Sequence, residues 1–115
     1  MLNGVEAGDK MAGESMNVEQ AVSNAAAMPE DCVLVAKPPL SWGSEAMFIQ
    51  LTEDYRVPEE VQGAGFQYLL GRDDLLDLLA FLKKKRVSDR TAAEFIIHYA
   101  VTDSPPAWIN DIPDA

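Results

Sequence analysis

Phe66-Gln67-Tyr68-Leu69-Leu70-Gly71-Arg72-Asp73-Asp74-Leu75-Leu76-Asp77-Leu78-Leu79-Ala80-Phe81-Leu82 contains the change of period that decides the fold class. Up to Leu70 the residues are aromatic and aliphatic, and alternation places Phe66, Tyr68 and Leu70 on one face, as in a strand. From Gly71 onward the apolar positions fall at Leu75, Leu78, Leu79 and Leu82, widened by Leu76, which is the stripe of an amphipathic helix. Asp73, Asp74 and Asp77 in its early turns and Lys83-Lys84-Lys85-Arg86 in its last turn match the helix dipole at both ends.

Downstream, Ser88 is a good cap for a second helix running to about Val101. Its apolar residues Ala92, Ala93, Phe95, Ile96, Ile97, Tyr99 and Ala100 cover most of the circumference. Thr91, Glu94, His98 and Thr102 form one narrow polar stripe. A helix with so little polar surface is expected to be the more buried of the two, at the centre of the fold. Thr102-Asp103-Ser104-Pro105-Pro106 ends it, and residues 105–115 read as an extended tail carrying Trp108, Ile109 and Ile112.

Upstream, Cys32-Val33-Leu34-Val35-Ala36 is a short apolar, partly β-branched run, stopped by Lys37-Pro38-Pro39. After the loop Leu40-Ser41-Trp42-Gly43-Ser44-Glu45, residues 46–52 alternate, and the expectation puts Met47, Ile49 and Leu51 on the core side. Residues 54–65 read as a connector in which Pro58-Glu59-Glu60-Val61 forms one helical turn. Segregated strands followed by helices predict an α+β domain over residues 32–104: a small three-stranded antiparallel sheet with two C-terminal helices packed on one face.

Residues 1–31 are different, with six acids, one lysine and no aromatic residue. They read as a flexible, acidic or weakly helical N-terminal segment: 1–15 disordered, then a weak helix over 17–27 capped by Asn17, with Val18, Ala21, Val22 and Ala25 on one stripe. Pro29 ends that helix.

The whole chain has 115 residues, a net charge of −10 and a single cysteine, Cys32. That is one domain's worth of chain, and it admits no intramolecular disulfide. The first residues lack the basic start and apolar block of a signal peptide, and no apolar run approaches a membrane span of about 20 residues. The expectation is a soluble, cytoplasmic protein. Its acidity disfavours nonspecific binding to nucleic acid or an anionic membrane.

No catalytic, cofactor-binding or metal-ligating set is identified. One cysteine and one histidine do not supply a zinc site. Asp73, Asp74 and Asp77 lack the spacing and glycine of a calcium loop. Gly63-Ala64-Gly65 lacks the third glycine of a dinucleotide fingerprint, and no Walker-type lysine is present. Ser41-Trp42-Gly43-Ser44 is not a nucleophile elbow. His98 with the carboxylate of Glu94 is the alternative enzymatic reading. The basic patch from Lys83 to Arg90 is the alternative DNA-binding reading, which Glu94 on the exposed stripe of the second helix opposes.

What remains is protein recognition. Aromatic residues outside regular structure are favoured interface anchors, and here they are Trp42, Tyr55 and Trp108, with Leu40 beside Trp42. Loop 37–45 is long for so small a sheet and is bounded by Pro38-Pro39 and Gly43. The size and charge of the chain resemble those of small acidic accessory proteins of the inhibitor, immunity, adaptor or regulatory type. The sequence thus predicts a non-catalytic module that binds a protein partner with a basic surface, with self-association as the other outcome.

Overall fold

A computed structural model describes residues 16–114, so the disorder expected for 1–15 lies outside the described residues. The elements in chain order are β1 (Met16–Asn17), α1 (Val18–Asn24) with a 3-10 extension (Ala25–Ala27), β2 (Cys32–Ala36), β3 (Glu45–Gln50), α2 (Glu59–Gly63), β4 (Gln67–Gly71), α3 (Arg72–Leu82), α4 (Asp89–Thr102) and a 3-10 turn (Ala107–Asp111). The class is α+β, as the change of period predicts. The sheet has four strands in the order β1-β3-β2-β4, every neighbouring pair antiparallel. The fourth strand is β1, and two residues are too few to show an alternation in sequence.

β2 is central, and all five of its residues are buried. Since β3 and β4 both run antiparallel to it, they are parallel to each other, and the chain from 51 to 66 crosses between them. That crossover covers one sheet face, where Val57 and Val61 pack on Val33, Val35, Ile49 and Phe66. The helices cover the other face, where Leu34, Ala36, Ala46 and Phe48 join α1, α3 and α4 in the main core.

Two expectations about side-chain direction and one about a helix end are corrected. Alternation sorts β3 into two faces as read, but Ala46 and Phe48 face the helices, while Met47, Ile49 and Leu51 face the crossover. Both faces are covered, so alternation alone does not say which carries the larger core; the small pair Ala36 and Ala46 makes room for the helices. In β4, Leu34 pairs with Leu70 but Val35 pairs with Tyr68, leaving Leu69 as a bulge. The extra residue lets Leu69 and Leu70 both join the helix-side core, while Phe66 lies on the crossover side and Tyr68 is exposed. Phe66, Tyr68 and Leu70 therefore do not share a face. Finally, α3 ends at Leu82 with no base in its last turn; Lys83 is its C-cap, Lys83 and Lys84 form a turn, and Lys85 bridges to Asp114.

The segment assigned to a flexible or weakly helical arm contributes to the core from Met16 onward. Asn17 caps α1 through a capping box: its Oδ1 accepts from Gln20 N at 2.8 Å, and Gln20 Oε1 accepts from Asn17 N at 2.9 Å. Val18, Ala21 and Ala25 are completely buried. The Arg72 guanidinium donates to the Ala25 and Ala26 carbonyls at 3.3 and 3.2 Å, satisfying the end of the 3-10 turn.

α4 starts at Ser88, whose Oγ accepts from Thr91 N at 3.1 Å. It contributes Ala92, Ala93, Phe95 and Ile96 to the core, against Leu75 and Leu82 from α3. The tail is not extended. Pro106 and Ile109 are buried, residues 107–111 form the 3-10 turn, and Arg86 N donates to Pro113 O at 3.0 Å. Lys85 Nζ bonds both Asp114 Oδ1 at 3.2 Å and Ile112 O at 3.3 Å, tying the tail to the turn after α3.

Candidate interaction surface

The loop between β2 and β3 is held from within. Ser44 Oγ donates to Pro39 O at 2.8 Å and accepts from Ser41 N at 2.8 Å, while Gly43 N donates to Ser41 Oγ at 3.2 Å. Its carbonyls also serve α1. Val18 N donates to Ser44 O and Glu19 N to Trp42 O, both at 3.0 Å, so two N-terminal donors that a helix leaves unpaired are satisfied by this loop. Ser and Gly at these positions are thus explained by local hydrogen bonding and turn formation, with no nucleophilic role required.

Trp42 is half-buried and packs on the rim of the main core. The Arg90 guanidinium, from the first turn of α4, lies 3.6 Å from the Trp42 ring centroid. Arg90 Nε is also 3.7 Å from Glu19 Oε1. One charged pair therefore clamps the indole between the starts of α1 and α4, a geometry suited to the flat guanidinium.

Further along α4 the surface becomes concave. A cleft of about 520 Å³ opens between the loop, the outer face of α4 and the 3-10 turn. Its apolar walls are Leu40, Ile97, Val101 and Trp108. Val101 is 64% exposed and Trp108 36%. Trp108 is oriented by an edge-to-face contact with Phe95, centroids 6.3 Å apart. Ser41, Glu94, His98 and Thr102 supply the polar part of the lining. Arg90, Glu94 and His98 follow at intervals of four residues, so Trp42 and the cleft lie along one side of α4.

Of the four residues singled out in the sequence, the structure brings Leu40 and Trp108 together in the cleft and sets Trp42 at its approach. Tyr55 stands apart. It is 85% exposed, in a turn beyond the Gln50 end of β3, with φ of 61° and its N–H donating to Thr52 O at 2.8 Å. In the sequence Ile97 is read only as part of an apolar helix circumference, and Val101 only as the approximate end of that helix. Their signal was surplus: α4 carries more apolar positions than one core-facing stripe requires.

His98 and Glu94 share the cleft, but neither side chain has a hydrogen bond or ion pair among the described residues. The hydroxyl of Thr102 donates to the backbone carbonyl of His98 at 2.9 Å and does not orient the imidazole. A general base needs a second group to hold it, and among the described residues none hydrogen-bonds the His98 imidazole. Among the described residues no group of three potential ligands is placed to hold a metal ion. No helix there is long and apolar enough to cross a membrane. Burial raises the thiol pKa of Cys32 above its ordinary value, with Asp31 adding to the effect and Arg72 opposing it. A smaller fraction of the thiol is correspondingly present as the nucleophilic thiolate at a given pH.

No protein-family model, curated protein or solved structure matches the chain.

Proposed function

We propose that this chain is a non-catalytic interaction module that docks a protein partner across the cleft formed by Leu40, Ile97, Val101 and Trp108. The observation that carries this reading is the convergence of two loop-borne candidates, Leu40 and Trp108, on an exposed apolar strip of α4. Tryptophan anchors with aliphatic neighbours are typical of interface hot spots. The loop's internal hydrogen bonds and its attachment to α1 lower the entropy cost of binding. Glu94 at the cleft wall and the net charge of −10 favour a partner whose facing surface is basic.

The test is affinity capture from the native host followed by mass spectrometry, with wild type, Trp42→Ala and Val101→Glu compared. A partner retained by wild type and lost from Val101→Glu supports the reading. Equal capture by Val101→Glu removes the cleft from the interface, and no capture above background removes the partner. Light scattering coupled to size-exclusion chromatography identifies a second copy of the chain as the partner if the wild type is dimeric and Val101→Glu monomeric.

A further inference from the structure

The one basic run in this acidic chain plays no part in that cleft. Lys83, Lys84 and Arg86 are exposed and have no ion pair among the described residues, whereas Lys85 is taken by Asp114. They lie where α3 ends, beside a second cleft of about 530 Å³ between α1, α3 and the connection into α4. Val22, Leu76, Leu79 and Val87 give it an apolar lining, and the small exposed residues Ala26 and Ala80 lie on its sides. Lys83 and Lys85 line its charged end, and Asp89 is the single carboxylate among its lining residues.

We propose that this cleft is a second docking site whose occupant is an acidic amphipathic helix of a partner protein. The charge argument is local: Lys83 lines one end of the apolar groove without an ion pair and is followed in sequence by Lys84 and Arg86, also unpaired among the described residues, in a chain whose net charge of −10 repels acidic segments elsewhere. The shape argument is the groove itself. It runs beside α3 from Leu76 to Lys83, about 10 Å or two turns of an incoming helix. Alanines 26 and 80 let a helix backbone approach closely. An occupant placing apolar residues at intervals of three and four on Leu76, Leu79 and Val87 brings its acids to the Lys83 end of the groove. This cleft shares no residue with the Leu40–Trp108 cleft, so the two sites of opposite preference make the chain a bridge between two partners.

The experiment selects from displayed random peptides of about sixteen residues on the full chain, then measures the enriched peptides by fluorescence anisotropy over a salt series. Expected are peptides with net negative charge and helically spaced apolar residues, with affinity that falls as salt rises. Ala80→Glu and the double change Lys83→Glu/Lys84→Glu alter exposed residues only, and circular dichroism verifies that they fold. Each is expected to weaken binding at least about tenfold, while Val101→Glu in the other cleft leaves it unchanged. Exchanging the peptide's acids for lysines is expected to restore binding to the Lys83→Glu/Lys84→Glu chain. The proposal is overturned by no enrichment, by enrichment of basic or neutral peptides, or by binding that survives Ala80→Glu. Peptides sensitive to Val101→Glu but not to Ala80→Glu overturn it too, while supporting the first cleft.

Discussion

Replacing Val18 by alanine tests whether α1 is part of the folded unit. Val18 is completely buried against the helix-side core. The change removes two methyl carbons, worth about 1.6 kcal/mol at ~0.8 kcal/mol each. The residual cavity raises the expected loss to about 2–2.5 kcal/mol, because neighbours on the sheet and on α4 close it only partly. For a domain of this size that is a fall in Tm of roughly 10 °C or more. The assay is urea denaturation followed by circular dichroism and evaluated by linear extrapolation. Ser23→Ala is the control, since Ser23 is exposed on the same helix and its hydroxyl reaches only Glu19 O, at 3.3 Å. It should stay within about 0.5 kcal/mol of wild type. A Val18→Ala chain as stable as Ser23→Ala would refute the docking of α1. The same burial predicts that a chain starting at residue 32 fails to fold. Losing the contacts of Val18, Ala21, Val22 and Ala25 removes about 5 kcal/mol, comparable to the whole stability of many domains.

Asn17→Ala breaks the capping box and should cost about 1 kcal/mol in the same denaturation assay; no change would show that the two bonds to Gln20 carry no net stability. Arg90→Ala uncovers Trp42, so tryptophan emission should shift to the red while stability falls by no more than about 1 kcal/mol; an unchanged spectrum would contradict the stacking. The raised pKa of Cys32 predicts slow labelling by a thiol reagent in the folded protein and fast labelling in urea, with equal rates as the contrary result. Its sign also fixes a pH dependence: the unfolded thiol ionises first, so the stability contribution is complete below the unfolded pKa, near 9.0, and is lost as pH rises through the folded value. Cys32→Ala should flatten that alkaline decline, and a decline of identical slope would assign it to other groups.

The sequence carries the fold class because period is a local property. Leu75, Leu78, Leu79 and Leu82 specify a helix whatever lies opposite, and Asn17 with Gln20 marks the start of α1 within four residues. Direction and docking are not local. Whether Phe48 or Ile49 meets the helices depends on which sheet face the later chain covers, and here both are covered, one by α1, α3 and α4 and the other by the 51–66 crossover. The bulge at Leu69 appears only when β4 is laid against β2, since Tyr68-Leu69-Leu70 gives no glycine to announce it. The burial of α1 was obscured for a related reason: an alanine-rich stripe beside an acidic segment has little hydrophobicity of its own, and gains a place in the core only by packing against β3 and α4. In the candidate site, single aromatics were legible as surface anchors, but their grouping was not. Leu40 and Trp108 are sixty-eight positions apart, and what unites them is α4 lying between.

The placement of that helix accounts for how one element serves both core and surface. α4 turns Ala92, Ala93, Phe95 and Ile96 inward, and its N-terminal end is fixed by the Ser88 cap. At its C-terminal end Asp103 adopts a left-handed conformation with φ of 60°, and the chain turns back through Pro105-Pro106 to lay Trp108 against Phe95. The tail is then secured at its far end by Lys85 and Asp114. Trp108 is thereby held at both sides without being fully covered, and Val101, four residues beyond Ile97, is left 64% exposed among the described residues. A helix that needed only to complete the core would carry a polar residue at position 101 at no structural cost. Valine there, beside a tryptophan fixed in place by the fold, is the exposed apolar pair on which the docking proposal rests.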